Sequence, residues 1–336
     1  LAKALAASGG GAAATTAKPG DAIAAHFEQL NKLTDGPAGA APIDQTIQVL
    51  DQLGKTLLTM NDFSAGAGQP NPALLQATQA ATQLPPPVSG WVASLTGKSE
   101  ALVASGAKGA LDDQFQQMVA KDCAEFTGNR YPFVLTSATD IPVQNFGELF
   151  GFGGRFDSYY KQTLEKLVDA SGSSWKWKTG PGAVSGSPGM LGQMQAADRI
   201  KQMFFRGSNI PDVGFTILTP VLDPGIAKLG VEGDVQKYEY APGRAANATM
   251  KWPGPQPGRA SVAGFDASGT LLAKFEFQND WAFFRILQAG KLQRETEVRY
   301  VATYDFGGKQ ARVTIQATNL KNPFLKPELQ GFRCGG

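Results

Sequence analysis

Few residues in this chain combine the types and spacing that chemistry requires. The nearest approach to a nucleotide motif is Thr96-Gly97-Lys98-Ser99. A phosphate loop needs glycine five residues before Gly97, where the backbone wraps the phosphates without a Cβ, and Val92 stands there. The four residues therefore read as a surface helix end. Gly180-Pro181-Gly182 fails as a dinucleotide fingerprint, since Pro181 and a missing third glycine spoil the turn. Asp112 and Asp113 are adjacent and face different sides of any helix; their acidity suits a helix N-terminus. Glu295 and Glu297 share a predicted strand face beside Arg294 and Arg299, the pattern of a solvated, charge-balanced surface and not of a glycosidase pair across a cleft. His26 falls near the apolar stripe of a predicted helix and reads as a partly buried structural histidine.

Composition narrows the chemistry further. With one His in 336 residues, a Ser-His-Asp triad, a multi-histidine zinc site or a two-histidine iron site would each have to rest on His26. Two cysteines cannot make a four-cysteine zinc knuckle or an iron–sulfur cluster. Cys123 and Cys334 stand 211 positions apart. In an oxidising compartment they could close a disulfide worth roughly 5 kcal/mol on the chain-entropy model. Two independent thiols remain the alternative, because sequence alone cannot bring their Cα atoms within reach. Lys and Arg total 31 against 29 Asp and Glu, a net charge of +2, which removes the electrostatic argument for a nucleic-acid partner. No stretch offers the roughly 18 consecutive apolar residues of a bilayer span. The opening LAKALAASGGGAAATTAKPG resembles neither a secretory signal nor an anchor, so targeting information is expected outside these residues.

The elements that would position any site follow from periodicity. Residues 1–19 read as a flexible tail or linker. Apolar residues at helical spacing predict helices from Asp21 (Ile23, Phe27, Leu30 and Leu33 as its buried stripe), from Pro42, and from Pro72 to a stop at Pro85-Pro86-Pro87. Trp91–Ala107, Leu111–Phe126 and a segment marked by Phe156, Tyr160, Leu164 and Leu167 continue the helical pattern. Ser171–Gly189 reads as a loop or short hairpin around Trp175-Lys176-Trp177. Ser187-Pro188 offers a cap and first-turn proline to a helix carrying Met190, Met194, Ala197, Ile200 and Phe204. Beyond about residue 207 the period changes to two, with Gly307-Gly308 as a hairpin turn and Asp280–Gly290 as an inserted helix. The expected fold is α+β: a helical domain over 20–206, then an antiparallel β-sandwich over 207–336 with one short inserted helix.

Several segments then fall into a known order. Arg130-Tyr131-Pro132-Phe133, Phe146-Gly147-Glu148-Leu149-Phe150, Gly153-Gly154-Arg155-Phe156-Asp157 and Trp175-Lys176-Trp177 come first. Trp252-Pro253-Gly254, Trp281-Ala282-Phe283-Phe284-Arg285-Ile286-Leu287, Asn322-Pro323-Phe324 and Phe332-Arg333-Cys334 complete the set. Their order and spacing resemble the C-terminal periplasmic region of the IcmF/TssM family, inner-membrane core proteins of the bacterial type VI secretion apparatus, from about residue 20 onward. Gly335-Gly336 in place of a following proline, and Gly151-Phe152-Gly153 in place of Gly-Pro-Gly, depart from that pattern.

The resemblance implies a non-catalytic periplasmic scaffold with no cofactor and no metal. Its membrane-spanning segments and NTPase-like part would lie outside these residues. Expected partners are an outer-membrane lipoprotein of the TssJ kind, a small inner-membrane protein of the TssL kind reached through the full-length protein, and further copies in a multimeric complex. Trp252, set among prolines and glycines, is the one residue to watch as an exposed partner contact, with core or loop packing as the other reading. The rival reading is an envelope carbohydrate-binding or carbohydrate-cleaving sandwich protein.

Overall fold

A computed structural model describes residues 20–60, 69–180, 182–243, 246–325 and 327–334; the expected 1–19 tail lies outside them. The chain divides by compactness into two units, 1–107 and 108–336, with the division inside one helix. The first unit contains α1 (Asp21–Thr34), α2 (Pro42–Thr59), α3 (Pro72–Gln83) and the first twenty residues of α4 (Val88–Phe115). Proline at the first position suits α2 and α3, since the missing N–H would have no intrahelical partner there. Asn71 caps α3 by accepting from the Ala73 and Leu74 amides at 3.0 and 3.3 Å. Leu53, Leu74 and Ala77 form its small core, with Val103 of α4 packed against them.

Two expectations for this unit need correction. Residues 21–34 are helical, but Ile23 is 65% and Phe27 47% exposed, so only Leu33 of the expected stripe is buried. His26 is exposed as well, and not a core histidine. Nor do residues 91–126 make two helices. α4 runs unbroken through Lys108-Gly109-Ala110 into a π-helical turn at Gln116–Ala120 and then α5 (Lys121–Thr127). Glycine inside a helix costs about 1 kcal/mol and does not by itself end one.

In the second unit, α6 (Val143–Phe150) and α7 (Arg155–Tyr159) are followed by a second π-turn, Tyr160–Leu164. The pair β1 (Val168–Asp169) and β2 (Lys176–Trp177) forms the short hairpin, and α8 (Met190–Phe204) buries all five residues of its expected stripe. Its start differs: Gly189 in the left-handed region precedes the helix, and Ser187 bonds Asp112 (Oγ–Oδ2 2.6 Å) instead of capping. Asp112 therefore lies in the last turn of α4, not at its N-terminus, and holds the loop ahead of α8 through the Ser187 amide and hydroxyl.

The strands are β3 (Val213–Ile217), β4 (Val221–Leu222), β5 (Lys228–Gly233), β6 (Gln236–Tyr240), β7 (Ala248–Trp252), β8 (Ala260–Phe265) and β9 (Leu271–Phe277). After α9 (Ala282–Ala289) come β10 (Gln293–Arg294), β11 (Arg299–Asp305), β12 (Gln310–Ala317) and α10 (Glu328–Gly331). One antiparallel sheet has the order β10-β11-β12-β3-β7 with β4 also on β12; the other has the order β6-β5-β8-β9. Phe275 of the second sheet meets Tyr304 of the first at 5.4 Å, so the sheets face one another as a sandwich. The α+β architecture with an inserted helix, α9, is thus observed. The strands of the two large sheets all follow α8, whereas compactness divides the chain at 107/108 and places α5–α8 in the same unit as the sheets. Among the described residues no helix is long and apolar enough to cross a membrane.

Candidate functional site

Most of the segments that carry the family resemblance converge on one aromatic core. From Phe332 the rings run through Phe150, Phe146, Trp281, Trp252 and Phe284 to Phe324 in steps of 5.0, 5.1, 5.1, 4.6, 4.9 and 5.9 Å. Each fully buried ring contributes on the order of 2 kcal/mol by removal from water, and edge-to-face pairs add to that. Trp252 is 1% exposed and donates its indole N–H to the Asp280 carbonyl at 3.2 Å. The expectation of an exposed contact there is corrected: the prolines and glycines around Trp252 form the turn that follows it, and the ring itself points inward. Glycine at 147 has a packing reason, because a Cβ there would strike the Asn209 carbonyl.

One ion pair ties α9 to the loop carrying residues 130–140. Arg285 binds the Asp140 carboxylate through Nε at 3.1 Å and through Nη2, donates to the Ser137 carbonyl at 2.8 Å, and lies 4.1 Å over the Tyr131 ring. Asp140 also accepts the Trp281 amide at 3.1 Å, and the Trp281 indole donates to the Ile141 carbonyl at 2.7 Å. Burial pushes the Tyr131 hydroxyl well above its ordinary range, so that ring stays neutral under the guanidinium. Cys123 of α5 and Cys334 are joined as a disulfide, with Cα atoms 5.6 Å apart. Thr127 lies 3.0 Å from the Cys334 sulfur.

The residues weighed for chemistry are not brought together. Thr96 and Ser99 sit in mid-helix and bond the carbonyls four residues earlier, at 2.6 and 3.0 Å. They are not at a helix end, and a helix interior has no free amides for phosphate. Glu297 pairs with Arg294 on an exposed loop beside β10, and Glu295 lies beyond the strand. Among the described residues no group of three or more His, Cys, Asp or Glu is placed to hold a metal ion. The surface instead offers shapes suited to protein contacts. A groove of about 510 Å³ is lined by Tyr131, Pro132, Phe284, Leu287, Leu325 and Leu329. Strand edges are available too: β9 ends one sheet and β10 the other. The start of β6 is clamped to the end of β7, because the Gln236 side-chain amide donates to the Lys251 carbonyl at 2.7 Å and accepts its N–H at 3.0 Å. It thus fills the place of a neighbouring strand.

A two-sheet domain with an inserted helix, joined to helices by an aromatic core, defines a structural class that sequence comparison makes specific. Residues 215–319, most of the sandwich, match the family described as type VI secretion protein IcmF C2-like domain. The chain is 28% identical over 327 residues to the type VI secretion system component TssM1 of Pseudomonas aeruginosa, covering 93% of this chain and 30% of that protein. It thus spans about 30% of the length of that relative. Among solved structures it superposes on the C-terminal domain of the T6SS protein TssM from EAEC with a TM-score of 0.57 at 17% identity, over 68% of this chain and 97% of that one. It also superposes on a chain of a type VI secretion system membrane core complex with a TM-score of 0.71 at 16% identity, over 93% and 70% of the two. The resemblance read from the motif order is borne out.

Proposed function

We propose that this chain is a periplasmic, non-catalytic scaffold part of a type VI secretion membrane complex, docking an outer-membrane lipoprotein of the TssJ kind and so linking inner to outer membrane. One observation carries the reading: likeness to TssM1 extends over 93% of the chain, through the helices and the sandwich together, and not over the sandwich alone. The shape of the second unit supports it. Its singled-out aromatics are spent on a rigid core, while its free features are an apolar groove and open strand edges, which suit binding more than bond making. A TssL-like inner-membrane partner and further copies of the chain would be engaged through the full-length protein.

The test is capture of the purified chain by the cognate lipoprotein, read by calorimetry. Micromolar or tighter binding is the expected result. No binding with the chain folded would sink the docking role.

A further inference from the structure

Tyr131, Phe133 and Phe156 pack against the chain of rings just described, whereas Trp175 of Trp175-Lys176-Trp177 pairs with a ring away from it. Trp175 instead meets Tyr160, with centroids 4.9 Å apart and planes at 46°, in a separate pocket of about 270 Å³ within the second unit. That volume is just under the usual range for small-molecule sites and suits a single ring.

The pocket is held in shape by its own contacts. Tyr160 opens the second π-turn, and such turns recur at functional sites because one extra residue re-aims the side chains. Gln195 of α8 pins the Trp175 loop twice, accepting the Trp175 amide at 3.3 Å and donating to the Ser173 carbonyl at 2.6 Å. On the opposite wall Asp157 is 4% exposed and accepts from Lys161 at 2.8 Å and Lys201 at 2.9 Å, and Lys201 also pairs with Asp198 at 2.9 Å. Buried Met194 and Ala197 complete the lining.

The chemical make-up of the lining indicates its ligand. Tyr160 and Trp175, both half-buried, and the exposed Glu165 line it, so a phenol, an indole and a carboxylate border one opening. Half-buried Tyr and Trp present an apolar ring face and a polar tip together, the pairing that suits a ligand with both characters. The charges of the lining nearly cancel, three carboxylates against two ammonium groups, so a free anion meets Glu165 and Asp198 while a free cation meets Lys161 and Lys201. A neutral ring with one apolar C–H face and a rim of hydroxyls answers every feature. Its face lies on the rings, and its hydroxyls both donate to Glu165 and accept from Tyr160 and Trp175. We propose that this pocket between the second π-turn, α8 and the Trp175 loop is a binding site for a pyranose sugar.

The full chain would be titrated with glucose, galactose and N-acetylglucosamine, read by saturation-transfer NMR and by tryptophan fluorescence. At least one sugar is expected to bind saturably in the millimolar range. Trp175→Ala should weaken it at least about tenfold and Glu165→Gln about threefold, with exposed Lys176→Ala unchanged. Glu165 is an exposed side chain, so its variant reports on the site even where Trp175→Ala disturbs the loop. No saturation with any of the three sugars overturns the proposal. So does saturation that both Trp175→Ala and Glu165→Gln leave unchanged, or saturable binding of tetramethylammonium or inorganic phosphate in place of sugar. Lipoprotein capture is read separately, so either proposal can fail without the other.

Discussion

Burial pushes the Asp157 carboxyl up, but hydrogen bonds from Lys161, the Gly153 amide and Lys201 outweigh it, and the group settles at about 2 against an ordinary 3.8. A carboxyl held below its unfolded value stabilises the fold above that value and loses the contribution as pH falls through the folded one. The urea midpoint of the wild type should therefore drop between about pH 4 and pH 2 through this residue. Asp157→Asn should start lower at pH 6 and lose less over the same range. An identical pH profile for the two proteins would show that the two lysines do not act through Asp157. Asp157 itself was visible in the sequence as the end of Gly153-Gly154-Arg155-Phe156-Asp157, yet its roles were not, because Lys201 comes from a helix 44 positions further on. Trp252 was visible in the same partial way. Its neighbours correctly marked a turn, but turn residues say nothing of which way the preceding strand aims its side chain, and here it aims into the core.

Elements were legible where one period governed them. The stripe of α8 and the alternation of β11 and β12 are buried as read, and Gly307-Gly308 does turn the chain between β11 and β12, with φ of 70° and 85° and the Phe306 amide donating to the Lys309 carbonyl at 2.7 Å. β8 was hidden because five of its six residues are buried, so it has no alternation to read. The π-turns were hidden because a single extra residue leaves the local pattern helical. The clamp between β6 and β7 was equally invisible, resting on the side chain of one exposed-looking glutamine. Gln236→Ala should cost about 1–2 kcal/mol, the scale of two lost hydrogen bonds with the partner groups left partly solvated. It should also speed amide exchange at Lys251 by at least about tenfold while leaving β11 and β12 protected. Unchanged exchange at Lys251 would mean that the clamp does not hold the edge.

At the scale of the molecule, the disulfide links two places that the sequence could only list as candidates, since their approach depends on the whole fold between them. Closing a loop of 211 residues is worth about 5 kcal/mol on the chain-entropy model. Reduction, or Cys123→Ala with Cys334→Ala, should therefore lower the urea midpoint of the second unit markedly, with little change in the first unit, which contains neither cysteine. Two alkylatable thiols in the intact mass of unreduced protein would refute the link outright.

That link also changes how the molecule would carry tension. A pull applied upstream of Cys123 and downstream of Cys334 passes through α5, across the sulfur bridge and out, and the 211 positions between are bypassed. The hydrogen bonds of both sheets are then relieved of the load. At about 3.5 Å per residue, roughly 700 Å of chain is kept from paying out. With the bridge open, the same pull would unravel the sandwich strand by strand. With it closed, a pull between points outside that loop leaves both sheets unloaded and their fold intact.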